Sequence, residues 1–87
     1  MTTEADKKPD LRTMVRQARR LPPPEMAKAI RRAAGVSQEA IANEVGVSRQ
    51  TIAFWESGAR RPSASHLSTY LRALDMLEEE SGGRPAA

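Results

Sequence analysis

No cysteine occurs anywhere in the chain, which excludes a disulfide framework, a thiolate metal site and a cysteine nucleophile. Aromatic residues are almost as scarce, with one Trp, one Tyr and one Phe among 87 residues. Sheet domains lean on aromatic and β-branched residues, so a core built from Leu, Ile, Val, Ala and Met points to short packed helices. Three aromatics are also too few for the stacking platform that a single-stranded nucleic-acid binder needs. His66 is the only histidine and reads as a packed or surface residue. No convergent set of titratable groups marks a reaction pocket, so the expectation is a non-enzyme with no catalytic residue, no metal and no cofactor. No apolar run approaches the roughly 18 residues of a membrane span, and no signal-peptide core is visible. The expected setting is therefore the cytoplasm, without a membrane partner.

What is present is positive charge, unevenly placed. Residues 1–61 hold 12 Lys/Arg against 7 Asp/Glu, a balance of +5, and residues 62–87 hold 2 against 4, a balance of −2, which together give the net +3. A basic N-terminal two-thirds fits a polyanionic partner, although such an excess is also an ordinary solvated surface.

Punctuation along the chain predicts five helices. Residues 1–9 are polar and aperiodic, and read as a disordered arm. Leu11, Met14, Val15 and Ala18 then recur at helical spacing opposite Arg12, Arg16, Arg19 and Arg20, which predicts an amphipathic helix over 10–21 capped by Asp10. Pro22, Pro23 and Pro24 end it, and Pro24 suits the first position of the next helix. From Glu25 to Ala34, Met26, Ala29, Ile30 and Ala33 share one face, and Gly35 stops the run. Ser37 caps a helix over 38–45 that ends at Gly46, and Ser48 caps another over 49–57 that ends at Gly58. Leu67, Tyr70, Leu71 and Leu74 form a last stripe, followed by a solvated Glu78-Glu79-Glu80 and a flexible tail over 78–87. Helices this short are not stable alone, so one bundle over 25–77 has to be the folding unit. Its expected core is Ile30, Ile41, Ala42, Val45, Val47, Ile52, Trp55, Leu67, Leu71 and Leu74.

Ser37 to Gly58 carries the functional information. Ala42 is small where two helices must cross closely, Gly46 supplies a positive φ in the turn, and Val47 plugs that turn into the core. Ile52 and Trp55, three residues apart, anchor the second helix. Arg49, Gln50, Thr51, Ala53 and Phe54 are left facing outward. Helix, short glycine turn, helix is the arrangement of a DNA-binding helix-turn-helix.

The segment Gly-Val-Ser-Gln-Glu-Ala-Ile-Ala (35–42), the segment Gly-Val-Ser-Arg-Gln-Thr-Ile (46–52) and Trp55-Glu56-Ser57-Gly58 with Arg61-Pro62 resemble the phage-repressor and Cro-type helix-turn-helix family, also called xenobiotic-response-element-type regulators. The resemblance covers about 50 residues in order and spacing. It implies a lambda-repressor-like bundle with an added N-terminal helix, and a sequence-specific double-stranded DNA-binding regulator. Ser48, Arg49, Gln50 and Phe54 are then expected at base edges, where Arg suits guanine, Gln adenine and Phe a thymine methyl. Gln38, Thr51, Arg60 and Arg61 are expected at phosphates. Arg31 and Glu56 match a family ion pair beneath the motif. Where Phe54 stands the family usually has a polar or basic residue, and the helix over 10–21 lies outside its pattern.

These features lead to the expectation of a Cro-like or repressor protein, homodimeric on a palindromic operator on the nucleoid, with no small-molecule ligand. The competing reading is a protein-interaction module on the same fold, an antitoxin or a recombination accessory factor. In that case the helix over 11–21 or the stripe from Leu67 to Leu77 docks a partner chain.

Overall fold

The computed structural model describes residues 10–81; the arm expected over 1–9 and the tail beyond Ser81 lie outside the described residues. Five helices follow one another: α1 Leu11–Arg20, α2 Pro24–Ala33, α3 Gln38–Val45, α4 Arg49–Ser57 and α5 Ala64–Glu80. The described residues contain no strand, so the fold is an all-α bundle.

Local chemistry sets the helix starts. Asp10, Ser37 and Ser48 each accept a bond from the backbone N–H three residues on, at 2.9, 3.0 and 3.1 Å. These are N-caps that satisfy donors the first helical turn leaves open, and at Ser37 and Ser48 such a cap is worth about 1 kcal/mol. The Asp10 carboxyl is held below its ordinary range first by the Thr13 backbone bond, which favours the charged form. Pro24 opens α2 at a position where its missing N–H costs nothing. Gly46 ends α3 at φ +89°, and a Cβ there would meet no atom. Glycine is required at that position by the backbone alone, at about 1–2 kcal/mol for any L side chain.

The core brings α2, α3 and α4 together over α5. Ala27, Ile41, Ala42, Val45, Ile52, Trp55, Tyr70, Ala73, Leu74 and Leu77 form one buried cluster, with Ile30 and Val47 only partly covered at its margin. Leu67 and Leu71 are buried as well. Two sequence expectations are corrected here. The inward face of α2 is set by Ala27 and Arg31, while Met26 stands 51% exposed and Ala29 is exposed. The small Ala27 lets α2 approach closely, and burial of the Arg31 head fixes the helix rotation, which a count of apolar residues does not register. Glu78, Glu79 and Glu80 are the last turn of α5 rather than tail; exposed charges are compatible with a helix whose Leu77 is already buried.

In α1 the difference is larger. No residue of this helix is buried. Arg20 Nη2 meets Asp75 Oδ2 of α5 at 2.6 Å, both side chains about half exposed. Thr13, Met14 and Gln17 are its partly covered residues, with Thr13 and Gln17 on the same helical face as Arg20. Of the apolar stripe the sequence marks on α1, Met14 is partly covered, while Leu11 is 75% and Val15 46% exposed.

Tyr70 illustrates how tightly the lower core is closed. Its ring lies 4.7 Å from that of Trp55, tilted by 51°, and its hydroxyl is buried without a hydrogen-bond partner. Burial pushes the phenol from its ordinary 10.0 up to about 12, the Glu56 carboxylate adds to this, and the Arg31 guanidinium opposes it. The folded chain therefore keeps a proton that the unfolded chain releases. That contribution to stability is intact below about pH 10 and fades as the pH rises towards about 12. Denaturant midpoints measured across this range should fall, and Tyr70→Phe should flatten that fall. At neutral pH the variant should be at least as stable as the parent, because an unpartnered buried hydroxyl is removed.

Candidate nucleic-acid interface

Gly46, Val47 and Ser48 form the turn between α3 and α4, and the N–H groups of Gly46 and Val47 both reach the Ala42 carbonyl, at 2.8 and 3.0 Å. That shared acceptor closes the turn tightly. On α4, Ile52 is fully buried and Trp55 and Glu56 nearly so. The helix is thereby fixed in rotation, and Arg49 and Gln50 stand exposed at its N-terminal end, with Thr51, Ala53 and Phe54 half-buried beside them.

Beneath this surface lies the Arg31–Glu56 pair. Arg31 Nε donates to Glu56 Oε2 at 2.6 Å and Nη2 to Oε1 at 3.0 Å, a two-pronged contact, while Nη1 donates to the Val36 carbonyl at 2.7 Å. Its side chains are 10% and 3% exposed. Gln38 continues the chain of bonds: its Nε2 donates to Glu56 Oε1 at 3.1 Å and its Oε1 accepts from Arg49 Nη1 at 3.2 Å. A buried ion pair is thus wired through Gln38 to the first residue of α4. The sequence places Gln38 at a phosphate and gives no sign of this link. The i, i+11 spacing of Gln38 and Arg49 carries no signal until the turn folds them together. One amide N–H of Gln38 remains outside these two bonds.

The other expected contact residues are placed as follows. Ser48 Oγ caps α4 and lies 2.9 Å from Thr51 Oγ1, so the two hydroxyls form one unit. Phe54 lies under Arg60, whose guanidinium carbon is 4.7 Å from the ring centroid, and the Arg60 N–H bonds the Phe54 carbonyl at 3.3 Å. The aromatic residue therefore supports a cation from below. Arg60 and Arg61 are exposed on the loop after Gly58, and Gly58 ends α4 with φ +85°. His66 is a packed residue: its Nδ1 lies 3.2 Å from Ser63 Oγ and its ring 6.3 Å from Trp55. Among the described residues no group of three His, Asp or Glu is placed to hold a metal ion. No helix among them is long and apolar enough to cross a membrane.

The family model of helix-turn-helix domains matches residues 28–80, which takes in most of α2 and all of α3 to α5. The chain belongs to the phage-repressor and Cro-type helix-turn-helix family. No curated protein and no solved structure matched in the corresponding comparisons. The family consists of DNA-binding, non-enzymatic domains, and the helix-turn-helix here is α3, the turn at Gly46 to Ser48, and α4. The first helix, α1, lies outside the matched residues.

Proposed function

We propose that the chain is a sequence-specific regulator that binds double-stranded DNA as a homodimer and represses by occupying an operator. The observation that carries this reading is the division of α4 into two faces. Ile52, Trp55 and Glu56 lock one face into the bundle, and the opposite face presents Arg49 and Gln50 to solvent with Arg60 and Arg61 alongside. A rigid helix with bidentate donors at its start, flanked by backbone-reaching cations, fits the major groove.

In this reading Arg49 and Gln50 meet base edges, Arg49 held by Gln38 before contact. Ser48 and Phe54 complete the base-facing surface. Gln38 uses its remaining N–H for a phosphate, together with the N-terminal amides of α3. Thr51, Arg60 and Arg61 hold the backbone. Phe54 has a double part, since the cation stacked on it is one of those backbone contacts. No small-molecule ligand enters this mode of action, and the place of action is the cytoplasm, on the nucleoid.

Selection of bound sites from random duplexes supplies the operator, expected as two half-sites about 10–10.5 bp apart, or a multiple of that spacing. Arg49→Ala should then lose about 1–3 kcal/mol at that operator and relax selectivity at one base pair. Arg61→Ala should instead weaken binding to all duplexes alike and lower the salt slope by about 1. Binding by both variants indistinguishable from the parent across several salt concentrations would sink the assignment.

A further inference from the structure

α1 raises a physical question that the DNA interface leaves open. A ten-residue helix is marginal in water, and this one buries no residue in its own chain. Its partly covered residues are Thr13, Met14 and Gln17, and it meets α5 with Arg20 on Asp75 and a buried, unpartnered Gln17 Oε1. Its outward face is a surface lined by Leu11 and Val15, one turn apart, flanked by Arg12, Arg16 and Arg19. The helix contains no acidic residue. Among the described residues, the only one of its four arginines in a salt bridge is Arg20.

A surface of complementary character lies on the same molecule, between α3 and α5. Val36, Ala40, Ala73 and Met76 line a shallow apolar hollow of about 170 Å³ with Glu44 at its edge, and Met76 is 42% exposed. Glu80, one helical turn beyond Met76, shares that face of α5. Both carboxylates are exposed, and neither is in a salt bridge among the described residues. An apolar pair beside arginines thus has its counterpart in an apolar hollow beside glutamates.

The geometry points to a reciprocal exchange between two copies of this chain: α1 of each copy lays Leu11 and Val15 into the α3–α5 hollow of the other, with Arg12 and Arg16 against Glu44 and Glu80. Arg20 of α1 pairs with Asp75 and Met76 lines the hollow, so both elements adjoin the C-terminal half of α5, and one two-fold axis can relate both contacts. Reciprocity also enlarges the contact. One short helix on a shallow hollow falls below the ~1,200–2,000 Å² of a stable interface, and two such contacts double the area. Glu44 lies at the opposite end of α3 from Gln38, so the exchange leaves α4 uncovered. This inference specifies the homodimer of the proposed function and rests on that part of it.

Charge reversal tests it on the full chain. The pair Arg12→Glu and Arg16→Glu in one protein, and Glu44→Arg and Glu80→Arg in another, each place like charges across both contacts. Sedimentation equilibrium should show the parent as a dimer and each double variant with dimer affinity reduced by about tenfold or more. An equimolar mixture of the two variants should dimerise again, because every contact in the mixed pair is then complementary. All substituted positions are exposed, so unchanged thermal midpoints show that the variants are folded. Unchanged affinity for a duplex carrying one half-site shows that α4 is intact. A parent that stays monomeric at high concentration overturns the exchange, as does a different protein found occupying α1 in its place. Double variants that dimerise like the parent, or a mixture that stays monomeric, overturn it while leaving a homodimer through another surface. Loss of half-site binding by the parent itself is a failure of the DNA reading, and the sedimentation result stands apart from it.

Discussion

Glu56→Ala should destabilise the domain by about 3–5 kcal/mol, as expected when one partner of a buried ion pair is removed. The deleted carboxylate accepts two bonds from Arg31 and one from Gln38. Its loss strands a guanidinium that is only 10% exposed, with the Val36 carbonyl as its one remaining partner. A domain of this size has a total stability of about 5–10 kcal/mol, so much of the folding free energy is at stake. With about 4–8 °C of midpoint shift per kcal/mol, thermal unfolding should move down by about 12–40 °C. Arg31→Met combined with Glu56→Leu should recover most of the loss, because hydrophobic residues of similar volume avoid the cost of burying two charges. A single Glu56→Ala variant within about 1 kcal/mol of the parent would show that the pair is hydrated in solution and bears little of the fold. The same variant frees Gln38 from Glu56, so its folded fraction should hold Arg49 less firmly.

Ile52→Ala should cost about 2–5 kcal/mol, the range for removing a large aliphatic side chain from a packed core. Ile52 is fully buried and belongs to the cluster that contains Ile41, Ala42 and Val45 of α3. It therefore joins the two helices whose relation defines the helix-turn-helix. Urea unfolding should show a lower midpoint at an unchanged slope, the sign of lost stability with the same surface exposed. Ile52→Val, which keeps most of the volume, should cost only about 0.5–1.5 kcal/mol. Where the alanine variant remains folded, its duplex affinity should fall as well, because the void lets α4 shift under Arg49 and Gln50. Equal costs for the valine and alanine variants would argue that the site collapses around the smaller side chain.

Composition and punctuation determined a great deal about this chain. Scarcity of aromatics and absence of cysteine led to an aliphatic helical bundle, and serine caps with glycine stops marked α3 at 38–45 and α4 at 49–57, where the structure has them. Caps and stops act over three or four residues, which is why they are legible in one dimension. The family likewise followed from motif order, and the Arg31–Glu56 contact from the resemblance.

Tertiary structure decided which way the faces turn. Periodicity found the apolar stripes of α1 and α2, but a stripe faces a core only if the neighbouring helix offers one at that angle. Burial of Ala27 and Arg31 rotated α2 away from Met26, and on α1 Met14 is partly covered while Leu11 and Val15 stay exposed. Ala27, Tyr70, Ala73 and Leu77 entered the core, while Ile30 and Val47 stayed at its margin. The route from Glu56 through Gln38 to Arg49 exists only once the turn at Gly46 brings α3 and α4 together. Local signals depend on backbone chemistry within one turn, whereas facing and wiring depend on packing between residues far apart in the chain.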